Sequence, residues 1–112
     1  MIMRVAIVGS RNLNIDIADY LPDGITEIVS GGARGIDTLA EAYADSMNIP
    51  KTIIKPDYEK YGRSAPIRRN EVIVDHADFI VAIWDGKSRG TKFVIEYAKR
   101  TGKPIEVHII EQ

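Results

Sequence analysis

Apolar positions along the chain fall into two alternating periods. Short β-branched runs lie at Arg4–Val8, Glu27–Val29, Thr52–Ile54, Phe79–Ile83 and Ile105–Ile110. These runs are nearly continuous rather than alternating, as expected of parallel strands covered on both faces. Between them the period lengthens. Ile36, Leu39, Ala40, Tyr43, Ala44 and Met47 recur at i, i+3, i+4, i+7 spacing and form one helical stripe. Asn48 closes that helix, and Pro50 prevents its continuation. A second helix is predicted from Ala65 to Asp75, with Pro66 in its first turn. A third is predicted from Thr91 to Arg100, stopped by Gly102 and Pro104. Asn14–Leu21 reads as a short helix ahead of the turn Pro22-Asp23-Gly24. About five strands alternating with helices define an α/β fold: one Rossmann-like, three-layer domain with a mainly parallel sheet.

Composition narrows what such a domain does. The length of 112 residues fits a single domain spanning the chain. Fifteen basic residues against sixteen acidic ones give a net charge of −1. That argues against a nucleic-acid binder relying on non-specific charge, while leaving room for a local basic patch. The absence of cysteine excludes disulfides, thiolate metal sites and thiol catalysis. His76 and His108 lack partners at metal-ligand spacing, so neither a metal nor a cofactor is expected. The apolar start of the chain is too short for a signal sequence, and no segment approaches the length of a membrane span. A cytoplasmic protein with no membrane partner is the expectation.

In an open parallel sheet, ligands bind beyond the carboxyl ends of the strands, where strand order reverses. The segments after the strands are therefore the informative ones. The first strand is followed by Gly9-Ser10-Arg11-Asn12 and the second by Ser30-Gly31-Gly32-Ala33-Arg34-Gly35-Ile36-Asp37. The fourth is followed by Trp84-Asp85-Gly86-Lys87-Ser88-Arg89-Gly90-Thr91. Glycine lets backbone N–H groups approach a ligand, helix starts present unpaired N–H groups, and arginine grips phosphate with two hydrogen bonds. Taken singly, each set of glycines reads equally well as a tight strand-to-helix turn. A fourth basic element, with Arg63, Arg68, Arg69 and Asn70, surrounds a helix start, where cations oppose the dipole. It reads either as anion-binding or as a solvated face with surface ion pairs. Asp37 reads as a structural partner of its helix dipole. Trp84, Tyr58 and Tyr61 are placed to cover a ligand or simply to pack. Gly31-Gly32-Ala33-Arg34-Gly35 is not the dinucleotide fingerprint, and Val81 stands where a P-loop ending at Gly86-Lys87-Ser88 needs glycine.

Gly9-Ser10-Arg11, Ser30–Asp37, Arg69-Asn70 and Asp85–Thr91 together resemble the SLOG superfamily, most closely its small stand-alone YspA-like branch. That superfamily also includes the DNA-processing protein A and LONELY GUY families. The resemblance implies a Rossmann-like fold, a nucleotide-ligand pocket at these loops, and often a homodimer or higher homo-oligomer. Its ligand-binding positions fall on Gly9, Ser10, Arg11, Gly31, Gly32, Ala33, Arg34, Gly35, Arg69, Asn70, Asp85, Ser88, Gly90 and Thr91, with Arg34 and Arg69 as charge clamps. The LONELY GUY phosphoribohydrolases carry a catalytic glutamate where this chain has Val94. Glu96 lies about 200° further around the helix. The first expectation is therefore a binding module for a nucleotide or nucleotide-derived molecule. An N-glycosidase of nucleoside monophosphates, with Asp85 or Glu96 supplying the carboxylate, is the alternative. Binding of single-stranded DNA in the manner of DNA-processing protein A is a third.

Overall fold

The structure is a computed structural model that describes residues 1–111. Its five strands are β1 (Arg4–Gly9), β2 (Glu27–Ser30), β3 (Lys51–Ile53), β4 (Phe79–Trp84) and β5 (Ile105–Ile109). They form one sheet in the order β3-β2-β1-β4-β5, with every pairing parallel. The helices are α1 (Ile36–Ser46), α2 (Tyr58–Tyr61), α3 (Ala65–His76) and α4 (Arg89–Thr101). The α/β class, the parallel sheet and the five strands are those read from the sequence.

Alternation along the central strands feeds two cores. Val5 and Ile7 of β1, with Val81 and Ile83 of β4, face Ile36, Ala40 and Ala44 of α1. Ala6, Val8, Ile80 and Ala82 face the opposite way, onto Ile73 and Val74 of α3 and Val94, Ile95 and Ala98 of α4. A strand pointing side chains to both faces must be apolar at every position, which is why these runs do not alternate. The chain from β1 to β3 travels over one face. The chain from β3 through β4 to β5 returns over the other, as right-handed crossovers require. The direction of winding thus reverses at β1, and the loops after β1 and β4 flank the reversal.

Four local differences have physical causes. Asn14–Leu21 is not a helix; only Ala18–Tyr20 makes a single 3-10 turn. There Asp16 Oδ1 accepts the Ala18 N–H at 3.0 Å, a local bond that competes with the helical ladder. The tyrosine segment, unassigned from sequence, forms the short α2 because Asp57 Oδ1 caps it by accepting the Lys60 N–H. The last helix begins at Arg89, two residues before Thr91, because extended Ser88 occupies its N-cap. The third strand is Lys51–Ile53, with Ile54 just beyond it. Asn48 (φ 54°) and Gly102 (φ 74°) do end their helices in the left-handed region. Among the described residues, no helix is long and apolar enough to cross a membrane.

Candidate functional site

The loop after β1 is fixed by its first residue. A Cβ on Gly9 would lie 2.3 Å from the Ile83 carbonyl oxygen and 2.6 Å from the Ile36 side chain, so the loop can leave the sheet only with glycine there. Ser10 follows, buried, with its N–H donating to the Ile83 carbonyl at 3.1 Å. Its Oγ accepts the Asp85 N–H at 2.9 Å and lies 2.7 Å from Ser88 Oγ. Ser10 therefore ties the β1 loop to the β4 loop across the point of reversal. The serine pair carries two hydroxyl protons: one bridges the two oxygens, and the hydroxyls also bond to the Asp85 carboxylate, helping to keep it ionised.

The loop after β4 organises itself. Asp85 Oδ1 accepts the N–H groups of Lys87 and Ser88, each at 2.8 Å, and these bonds hold its carboxyl down to about 2. The Trp84 indole N–H donates to the Ser88 carbonyl at 3.0 Å, and its ring packs onto the core under α4. Trp84 thus fills the sheet rim. The first helical ladder bond returns from Lys92 N–H to the Ser88 carbonyl. The N–H groups of Arg89, Gly90 and Thr91 precede that bond and have no intrahelical acceptor.

Between the two loops lies a cleft of about 410 Å³. Its polar side is formed by Ser10, Arg11, Ser88, Arg89, Gly90 and Thr91, and its apolar back by Val8, Ile73 and Val94. Arg69 and Asn70 enter from α3, Asp37 from the first turn of α1, and Ala33 from the loop before it. Arg69 is anchored: Nη1 donates to the Gly31 carbonyl and, at 3.5 Å, to that of Ile54, while Nε donates to Asn70 Oδ1 at 2.9 Å. Burial pulls its pKa down; Asp37 opposes this, and the nearby positive charge of Arg11 adds to it. Asp37 accepts the Ala33 N–H at 3.1 Å, yet burial pushes its carboxyl above the usual value near 3.8.

The structure thus gathers Gly9, Ser10, Arg11, Ala33, Arg69, Asn70, Asp85, Ser88, Gly90 and Thr91 around one cleft. Other predicted positions stand apart. Gly31 backs the wall, where a Cβ would come within 3.0 Å of both Arg69 Nη1 and Asp37 Oδ2. Gly35 (φ 72°) allows α1 to start against the β1 loop, where a Cβ would sit 2.5 Å from the Ser10 and Arg11 carbonyl oxygens. Gly32 (φ 73°) turns near Ile53 and Lys55, outside the cleft lining. Arg34 is exposed and does not line the cleft, whereas Arg11 of the β1 loop does. Glu96 is exposed on α4 and does not line the cleft, whereas Val94 does; the helical phase separates them. The basic cluster also divides. Arg68 pairs with Glu71 at 3.6 Å and Arg63 is exposed, leaving Arg69 as its contribution to the site.

Asn12, Arg89 and Asp37 line the cleft although the sequence did not single them out as binding positions. Their proximity to Arg11, Ser88 and Ala33 was the available signal. Val8, Ile73 and Val94 read from sequence only as core.

Fold and site together define a doubly wound parallel α/β domain with a cleft at its switch point lined by hydroxyl, guanidinium and carboxylate groups. The chain belongs to the family of the Gene 61 protein of Mycobacterium phage D29, to which it is 32% identical over 117 aligned positions, covering 91% of this chain and 93% of that protein. A shorter similarity, 44% over 46 residues, links 38% of this chain to 27% of the uncharacterized SPbeta prophage-derived protein YoqJ of Bacillus subtilis strain 168. No protein-family model and no solved structure matches the chain.

Proposed function

We propose that the cleft binds the phosphate of a nucleotide or nucleotide-derived small molecule, and that the protein acts as a sensor or binding module. The observation that carries this reading is the Ser10 clamp, which holds the β1 loop against the start of α4. Donors from both loops then line one cavity: the N–H groups of Gly90 and Thr91, and the guanidinium groups of Arg11 and Arg89. Phosphate offers acceptors in every direction and carries the charge that a helix start and arginines stabilise. The apolar back formed by Val8, Ile73 and Val94 suits a ribose or base edge rather than a second anion.

Catalysis by Asp85 or Glu96 has less support. Asp85 is engaged with two backbone N–H groups, and Glu96 lies outside the cleft. The SLOG resemblance and the homodimer it implies belong to this same proposal. Isothermal titration with nucleoside mono- and diphosphates tests it, alongside mass spectrometry of any small molecule that co-purifies with the protein. Micromolar binding that is lost in Thr91→Glu is the expected result. A panel without a binder, together with a protein that carries no ligand from the cell, would reject it.

A further inference from the structure

A second depression, of about 290 Å³, adjoins the cleft on the far side of the β1 loop. Arg11 and Asn12 line both cavities, so these two residues form a shared ridge rather than an outer wall. The chemistry of the second cavity differs from that of the first. Half-buried Leu39 gives it apolar surface, over a base formed by the almost fully buried Leu13. Asn14 and Thr38 give it polar groups. The Thr38 hydroxyl donates to the Ala33 carbonyl at 3.0 Å, which leaves its oxygen to accept. An apolar surface with amide and hydroxyl groups beside it matches a flat heteroaromatic ring better than a second phosphate. The exposed guanidinium of Arg11 stands between the two, able to neutralise charge on a linker that crosses the ridge.

We infer that the ligand is a dinucleotide with two nucleoside units joined through phosphate, one unit in the cleft and the other ring in the depression beyond Arg11 and Asn12. This rests on the reading of the cleft as a nucleotide site and extends it from one nucleoside to two. Single-stranded nucleic acid also offers consecutive nucleosides, but the chain's net charge of −1 lacks the basic excess such binding uses.

The test compares AMP and GMP with diadenosine and diguanosine diphosphate by isothermal titration, using wild type, Thr38→Trp and Asn14→Trp. Neither substituted residue lines the cleft, and both are exposed, so either tryptophan can fill the depression without entering the core. Circular dichroism confirms that each variant is folded. Wild type is expected to bind a dinucleotide at least about tenfold more tightly than its mononucleotide, the effect of taking part of one more ring out of water. Either variant removes that advantage while leaving mononucleotide affinity within about twofold. Equal affinity for the two ligand lengths, or equal losses for both in the variants, would overturn the inference and leave the cleft reading intact. Binding of a thymidine oligonucleotide without binding of either dinucleotide would overturn it in favour of nucleic acid. Failure of all these ligands would remove the cleft reading as well.

Discussion

Asp37 sits where two demands on one carboxylate conflict. At the second position of α1 it complements the helix dipole, the role its sequence position announces. It also lines the cleft, and burial there outweighs both the Ala33 N–H and the Arg69 charge, so its pKa rises. A raised carboxyl pKa means that the folded state holds its proton more tightly than the unfolded chain. Its stabilising contribution is therefore complete below the unfolded value near 3.8 and is lost as pH climbs through the higher folded value. Asp37→Asn removes that titration. Urea denaturation between about pH 3 and pH 6 should show the variant gaining stability relative to wild type as pH rises; parallel profiles would contradict this. Sequence shows the carboxylate and its helix. It does not show the burial, because Arg69 and the wall behind it come from a distant part of the chain.

Elements meet at the site through one hydroxyl. The loop after β1 and the loop before α4 are far apart in sequence, yet Ser10 Oγ accepts the Asp85 N–H and touches Ser88 Oγ. Ser10→Ala leaves the Asp85 N–H without its acceptor in a partly buried place, at a cost of about 1–3 kcal/mol in unfolding free energy. It also frees the start of α4 from β1, so ligand affinity should fall as well. Chemical denaturation paired with titration separates the two effects. An Ala variant that binds as well as wild type would show that the clamp does not organise the cleft. This linkage was only half legible. Strand periodicity and the switch-point rule placed both loops at one rim, because continuous β-branched runs leave little choice of face. Side-chain partners were not legible, since a Ser-rich loop can bond locally or across the sheet. The same ambiguity explains Asn14–Leu21, whose apolar spacing allowed a helix until Asp16 bonded locally.

At the scale of the molecule, the two ends of the sheet do different work. The carboxyl rim holds the cleft, whereas the opposite rim is closed by Glu27, which begins β2. Glu27 accepts from the Thr52 hydroxyl at 2.8 Å and pairs with His76 at 2.8 Å, and the bond to His76 is the main cause lowering its pKa. Nothing in that cluster lines either cavity. Substitutions at the two rims should therefore act independently, as distant sites without shared partners do. His76→Ala is expected to lower stability by about 0.2–1 kcal/mol, the range of partly exposed pairs. A nucleotide at a hundred times its dissociation constant adds about 2.7 kcal/mol to native stability, roughly 10 °C in melting temperature for a domain of this size. That increment should be unchanged in His76→Ala, although the baseline drops. Arg11→Met should give the reverse: it alters an exposed side chain at the ridge, so the baseline holds while the ligand increment shrinks at the same ligand concentration. Thermal melts of wild type and both variants, with and without ligand, make the comparison. Equal loss of the increment in both would mean that ligand binding is coupled to the whole sheet rather than to its carboxyl rim.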